Sequence, residues 1–397
     1  MNESKPNWLY DCLHFGETPE DFWGAVSPPI FQNSLFVHPS FAKLSKAMQN
    51  ISENYIYTRG NNPTIQIAER KIARLERGER AKCFGSGMAA ISSAILSCVQ
   101  AGDHILCIRN VYGGTYTLLS SYLKRFKVET DFITDFSLKN LEQKVKPNTR
   151  LIYLESPTTF SFQVYNLTEI SGWARQKKIA TIIDNTWATP YFQNPLEMGI
   201  DLVVHSCSKY LAGHSDVVAG VVVGKKELIG KIVDSEYMLL GGIIHPFEAW
   251  LLIRGLRTLP LRMERHFDTA QKVARFLEKH PKVLKVNYPL LPSSPDHDLA
   301  KKQLRGGAGL FSFELKTNRK EDVEKFVNAL KLFSLGVSWG GYESLVFPLA
   351  SLREADGTSI QPDDFGNSYF LIRLSVGLEN SEDLISDLEQ ALLQVQT

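Results

Sequence analysis

The sequence predicts an α/β protein: a large, mostly parallel sheet covered by helices, followed by a smaller α+β C-terminal domain. Three observations predict it. Between residues 80 and 225, short apolar runs alternate with longer segments of helical spacing. The runs lack polar alternation, as expected of strands buried on both faces. From about residue 256 the pattern changes to helical segments around a few separated strands. A chain of 397 residues also exceeds what one hydrophobic core usually supports.

Residues 1–60 have little periodicity and carry "SPPIFQNS" and "YTRGNNPT", which reads as an extended arm. Residues 61–255 form the main domain. Its predicted strands are HILCI (104–108), RLIYLE (150–155), ATIID (180–184), DLVVHS (201–206) and VVAGVVVG (217–224). Helical spacing covers 88–101 and 167–178, and the AGD at 101–103 reads as a helix stop. Residues 256–397 form the C-terminal domain, with strands LFSFEL (310–315) and YFLIRLSV (369–376). A final helix over 381–394 opens on "NSEDLI", whose asparagine is a good N-cap. No internal repeat or low-complexity linker interrupts this order.

Bulk properties exclude several function classes. Hydrophobic residues make up 44% and charged residues 22%, which is globular rather than disordered composition. A net charge of +1 gives no electrostatic case for nucleic-acid or membrane-surface partners. The N-terminal MNESKPNWLYDCLHFGE has early charges and no apolar h-region, and no apolar run is long enough to span a bilayer. Five cysteines without a CxxC pair suit free thiols in a reducing, cytoplasmic setting, with Cys207 a packed small residue. The nine histidines show no metal-ligand spacing, so no metal is expected.

In open parallel sheets, functional residues collect at the carboxyl ends of strands. Three runs end there in polar residues: Glu155, Asp184, and Ser206 with Ser208 and Lys209. A buried lysine is costly unless paired, neutralised or used covalently, and Schiff-base formation is one such use. In imine linkage with pyridoxal phosphate (PLP) it has no ammonium to desolvate. That cofactor needs an anion near its pyridine nitrogen, and Asp184 is the candidate. Its phosphate needs donors, which "FGSGMAA" supplies by running into a helix N-terminus with the amides of Gly87 and Met88 exposed. Ser206 and Ser208 add hydroxyls. The motif is not GxGxxG, which lowers a dinucleotide reading.

These residues resemble the cystathionine and methionine metabolism enzymes, a family of fold-type I PLP proteins. The resemblance runs from "GAVSPPIFQNS" through "YTRGNNPT", "FGSGMAA", "NVYGGTY", "LESPTT", "DNTWATP", "SCSKYLAGHSD" and "LIRGLRTLPLRM" to "SWGGYESL" and "LIRLSVGLEN". It implies Lys209 as the Schiff-base lysine and proton shuttle, Asp184 at the pyridine nitrogen with Thr186 beside it, and Tyr112 stacked on the ring. Acid assistance to a leaving sulfur would come from Lys209 or Tyr112. Tyr57 and Arg59 would reach the phosphate of a neighbouring subunit, which makes a homodimer the minimum and a homotetramer the expected assembly. Arg373 would grip the substrate α-carboxylate by a bidentate pair that lysine cannot copy.

Two departures from the family pattern stand out. Thr159 occupies the place of an asparagine expected to contact the cofactor's 3′ oxygen. Val337, two residues before Trp339, takes a position where relatives that handle cystathionine at its γ carbon commonly carry glutamate. Valine cannot pair with a distal ammonium, so recognition by Val337, Ser338 and Trp339 should be apolar or steric. The tryptophan resembles the cystathionine β-lyase branch, so the expectation is a PLP-dependent carbon–sulfur lyase giving homocysteine, pyruvate and ammonia from an amino-acid substrate. A valine here also occurs in methionine γ-lyases. A γ-elimination or γ-replacement enzyme is therefore the alternative, with a PLP binder lacking turnover and a doubly wound nucleotide-binding protein as further readings.

Overall fold

The computed structural model describes residues 7–352 and 368–396. A seven-stranded sheet is built from β1 (Arg80–Phe84), β2 (His104–Ile108), β3 (Glu129–Ile133), β4 (Thr149–Glu155), β5 (Ala180–Asp184), β6 (Leu202–Ser206) and β7 (Gly220–Gly224). Their spatial order is β1-β7-β6-β5-β4-β2-β3. The pairs β2/β3, β2/β4, β4/β5 and β5/β6 are parallel, whereas β7 is antiparallel to both neighbours. Central strands are buried along their length, which is why HILCI and GVVVG read as unbroken apolar runs.

The sequence expectation of a parallel run at 217–224 is corrected by this antiparallel β7. A parallel neighbour needs a crossover, normally a helix. The link between β6 and β7 is instead a chain of turns that carries Lys209 and brings the strand straight back. β1 and β3 are additional to the predicted set. The arm also differs from an extended segment, because Trp8–Leu13 is a helix capped by Asn7, with Asp11 and Cys12 buried. The Lys71 ammonium fixes it by bonding Cys12 O at 2.9 Å and Glu17 at 2.8 Å.

A second sheet follows in the order β10-β11-β12-β9-β8, built from β8 (Val283–Asn287), β9 (Leu310–Leu315), β10 (Ser334–Leu335), β11 (Leu345–Pro348) and β12 (Leu371–Ser375). Between the sheets runs the 21-residue helix Leu259–Lys279, which buries Leu259, Met263, Ala270, Val273, Ala274 and Leu277 along one side. These residues join a single buried cluster reaching from Cys12 to Val395, so the C-terminal sheet is packed onto the first part of the chain. The last helix, Ser381–Leu392, is capped by Asn380 as its motif predicts. No helix among the described residues is long and apolar enough to cross a membrane.

Candidate active site

Parallel pairing places the ends of β4, β5 and β6 side by side at one sheet edge. Glu155 and Asp184 are register partners there. Thr186 accepts a bond from the amide of Ser206 at 2.8 Å and gives its hydroxyl proton to Asp184, while its own amide donates to the same carboxylate at 3.0 Å. Asp184 is buried, and burial raises its pKa against the pull of these two donors and of the His205 and Lys209 charges.

Beyond β6, a turn closes with Lys209 N bonding Ser206 O at 3.2 Å and presents the half-buried Lys209 amine. Nζ donates to Ser338 Oγ at 2.8 Å and lies 5.6 Å from the Trp339 ring centroid. Burial and then the Arg373 charge lower the ammonium to about pKa 8, with Asp184 opposing. The amine is thus far closer to neutrality at working pH than a solvated lysine. Cys207 beside it is buried, with its thiol pushed upward by burial, and packs as expected.

The "FGSG" stretch runs into a helix start at Gly87. Ser86 caps the helix Gly87–Leu96 by accepting from Ala89 N at 3.0 Å, leaving the amides of Gly87 and Met88 at its open start. A Cβ on Gly87 would lie 2.9 Å from Ser206 Cβ and 3.0 Å from its hydroxyl. Glycine is what lets helix start and strand end meet. Ser208 is differently employed: its hydroxyl donates to Ala219 O at 3.3 Å and accepts from Ala219 N at 3.0 Å. The half-exposed Tyr112 ring lies close to Met88, since a Cβ on Gly114 would sit 2.7 Å from Tyr112 Cε1 and 2.8 Å from Met88 Sδ.

The C-terminal part contributes the other wall. Arg373 on β12 donates to Val337 O at 2.7 Å, and its guanidinium lies 4.9 Å from the Phe347 ring and 5.8 Å from the Phe160 ring. No acidic side chain pairs with it among the described residues, and burial lowers its pKa to about 10. A cation flanked by rings and lacking its own carboxylate has the chemistry to receive one. Gly340, at φ 82°, touches the lysine turn: a Cβ there would lie 2.9 Å from Tyr210 N and 3.2 Å from Lys209 Cβ. Val337 is 77% exposed beside it, whereas Trp339 packs on Tyr210 with centroids 5.5 Å apart.

Tyr57 and Arg59 stand apart. Both are exposed and face each other at 5.9 Å, and no hydrogen bond, ion pair or ring contact among the described residues joins them to the lysine cluster within one chain. Sequence reasoning missed Phe160 and Phe347 around Arg373. It also missed Arg262, which holds the carbonyls of Tyr210 and Gly255 at 2.7 Å each and so fixes the turn after Lys209. The motif "LIRGLRTLPLRM" was the available signal for Arg262.

The donor set fits PLP: helix-start amides and a serine hydroxyl for a phosphate, a buried carboxylate for a protonated ring nitrogen, and a low-pKa amine for the aldehyde carbon. Comparison with known proteins agrees. The family described as Cys/Met metabolism PLP-dependent enzyme matches residues 11–393. An L-methionine gamma-lyase of Fusobacterium nucleatum subsp. nucleatum is 42% identical over 387 residues, 97% of either chain. A cystathionine beta-lyase of Coxiella burnetii is 40% identical, covering 98% of this chain and 99% of its own. The crystal structure of cystathionine gamma-lyase from Lactobacillus plantarum, complexed with L-serine, superposes with a TM-score of 0.90 at 37% identity, covering 98% of this chain and 100% of that one.

Proposed function

Because the chain belongs to the Cys/Met metabolism PLP-dependent enzyme family, we propose that it is a carbon–sulfur lyase breaking the Cγ–S bond of a sulfur amino acid, with 2-oxobutyrate and ammonia among its products. The observation that carries the γ assignment is the lining of the substrate wall. The β-lyase expectation rested on Trp339, and that ring is spent on packing Tyr210 and underlying the Lys209 amine. Val337, neutral and 77% exposed beside the lysine turn, is the residue the proposal turns toward the substrate side chain. It suits a thioether chain such as that of methionine. Gamma-lyases outnumber the beta-lyase among these relatives, which supports the same choice.

When bound, PLP supplies an electron sink for bonds at the substrate Cα. The chain supplies the rest. Arg373 holds the α-carboxylate between Phe160 and Phe347 and so fixes which Cα bond faces Lys209. Lys209 Nζ, oriented by Ser338, takes the Cα proton, and γ-elimination requires a second proton to leave Cβ, for which the same amine is placed. Tyr112, at the open side, protonates the departing sulfur.

The test is product analysis with methionine and with cystathionine. Methionine should give 2-oxobutyrate with release of a thiol, and cystathionine should give more 2-oxobutyrate than pyruvate. Dominant pyruvate would restore the β-lyase reading, and thiol replacement on O-acetylhomoserine without either oxo acid would point to the transferase alternative.

The same reading makes the site a shared one, with Tyr57 and Arg59 of a second subunit completing the phosphate cradle. Apolar surface supports an assembly: Trp23 is 96% exposed and Phe41 and Val26 are each 88% exposed. Mixed Lys209→Ala and Arg59→Ala proteins, each inactive alone, should therefore regain activity on subunit exchange. Up to about a quarter of the sites in a random dimer mixture would carry both intact residues. Proven exchange with no recovery would place Arg59 outside the site.

A further inference from the structure

Two carboxylates stand next to each other at the site, and the mechanism uses one. Glu155 and Asp184 end adjacent parallel strands in register, with Asp184 buried and Glu155 half-buried. Asp184 has Thr186 as its donor and feels the attraction of His205 and Lys209. Glu155 is held from different directions: its Oε2 takes the Tyr112 amide at 2.8 Å, and its Oε1 meets the Thr159 hydroxyl in a short contact. It therefore spans the two loops that frame the ring site, one starting at Tyr112 and one following β4. Two negative charges at neighbouring, partly desolvated positions repel, which favours a proton on one of them.

We propose that Glu155 is a positioning residue that stays protonated beside an ionised Asp184, leaving a single negative charge for the ring nitrogen while its neutral carboxyl pins Tyr112 and Thr159 in place. The proposal deepens the reading of the site given above and rests on it for the cofactor's position. A carboxylic acid can accept from the Tyr112 amide with one oxygen and donate to Thr159 Oγ1 with the other, so both contacts survive protonation. The titratable groups facing Glu155 are Asp184 on β5, Cys107 on β2, Tyr153 on its own strand and Tyr112 on the opposite loop. Burial drives Cys107 and Tyr153 well above their usual values, so neither competes for the proton, and Asp184 supplies the opposing charge. Burial first, and then that charge, raise Glu155 from 4.5 to about 8.

A group that holds its proton more tightly folded than unfolded contributes stability that is full below pH 4.5 and is lost as pH rises toward 8. Glu155→Gln mimics the protonated acid and cannot lose that proton, so it escapes the loss. The experiment compares thermal unfolding of the holoenzyme and its Glu155→Gln variant at pH 5.5 and pH 8.5, with cofactor absorbance recorded across the same range. The variant should gain on the parent by at least about 2 °C between the two pH values. Its absorbance should lack a titration step that the parent shows. Its cofactor affinity near neutrality should stay within about 3-fold of the parent, while Glu155→Ala, which releases both loops, should bind cofactor at least about 10-fold more weakly. Parallel stability curves with identical absorbance titrations would show Glu155 ionised throughout and overturn the proposal. Because no substrate is turned over, that result would leave the lyase reading standing, which product analysis tests separately.

Discussion

Replacing Lys209 by alanine should lower turnover by at least about 10³-fold while the protein still folds and still binds PLP. The loss follows from what only Nζ provides. It is a primary amine brought to about pKa 8 by burial and by the Arg373 charge, aimed from a turn between two buried strands and held by Ser338 at 2.8 Å. Cofactor retention is expected because Asp184, Ser206 and the start of the helix Gly87–Leu96 do not depend on the lysine. Lys209→Arg should be equally inactive, since a guanidinium can neither take a proton at working pH nor form the imine. Borohydride reduction of the parent holoenzyme followed by peptide mapping should tag Lys209. A label on a different lysine, or turnover surviving in the alanine variant, would remove Lys209 from the reaction.

The second large effect is expected at Arg373. Arg373→Ala should raise KM for the amino-acid substrate by about 30-fold or more, because truncating one partner of a desolvated, hydrogen-bonded charge pair typically costs about 2–5 kcal/mol. Arg373→Lys should restore little of it, since an ammonium cannot reproduce the planar fork between Phe160 and Phe347. A pH profile separates carboxylate binding from simple loss of packing. The Arg373 charge helps to lower the Lys209 pKa. Removing it in the alanine variant should shift the rate limb governed by the lysine to higher pH, and the charge-keeping lysine variant should leave that limb nearer its place. A KM unchanged in both variants would take the carboxylate from Arg373.

The chain announces its central strands openly. HILCI, ATIID and LFSFEL fall on β2, β5 and β9 to the residue, because strands covered on both faces need nothing but apolar side chains. β1 stays hidden because Lys82 interrupts it. The structure buries that ammonium by pairing it with Glu69 at 3.1 Å, the Gly60 carbonyl at 3.0 Å and the Tyr237 ring at 4.5 Å, a solution drawn from three distant segments. β3 is an edge strand and correspondingly polar. At the site, Asp184 and Lys209 are legible because each ends an apolar run. The aromatic walls of Arg373 are not. Phe347 comes from the neighbouring strand β11, and Phe160 sits at φ 61°, a left-handed backbone that no pattern rule assigns to phenylalanine. The packing of Trp339 is hidden from the sequence for a related reason: its partner, Tyr210, is 129 residues away, and only the fold brings the two rings together.

The contact at Gly340 has a consequence for how such a protein changes over generations. At that point the backbone lies against Tyr210 and Lys209 with no space for a side chain. Three residues earlier, Val337 is anchored through its carbonyl to Arg373 while its side chain stands in the open. One end of this short segment is frozen and the other is free to drift. Replacements at 337 leave the core packing and the lysine turn untouched, so on the proposed reading a charged, larger or smaller residue there acts on substrate preference. On the proposed reading, a lineage can change its substrate preference through that one position and keep its cofactor machinery intact throughout.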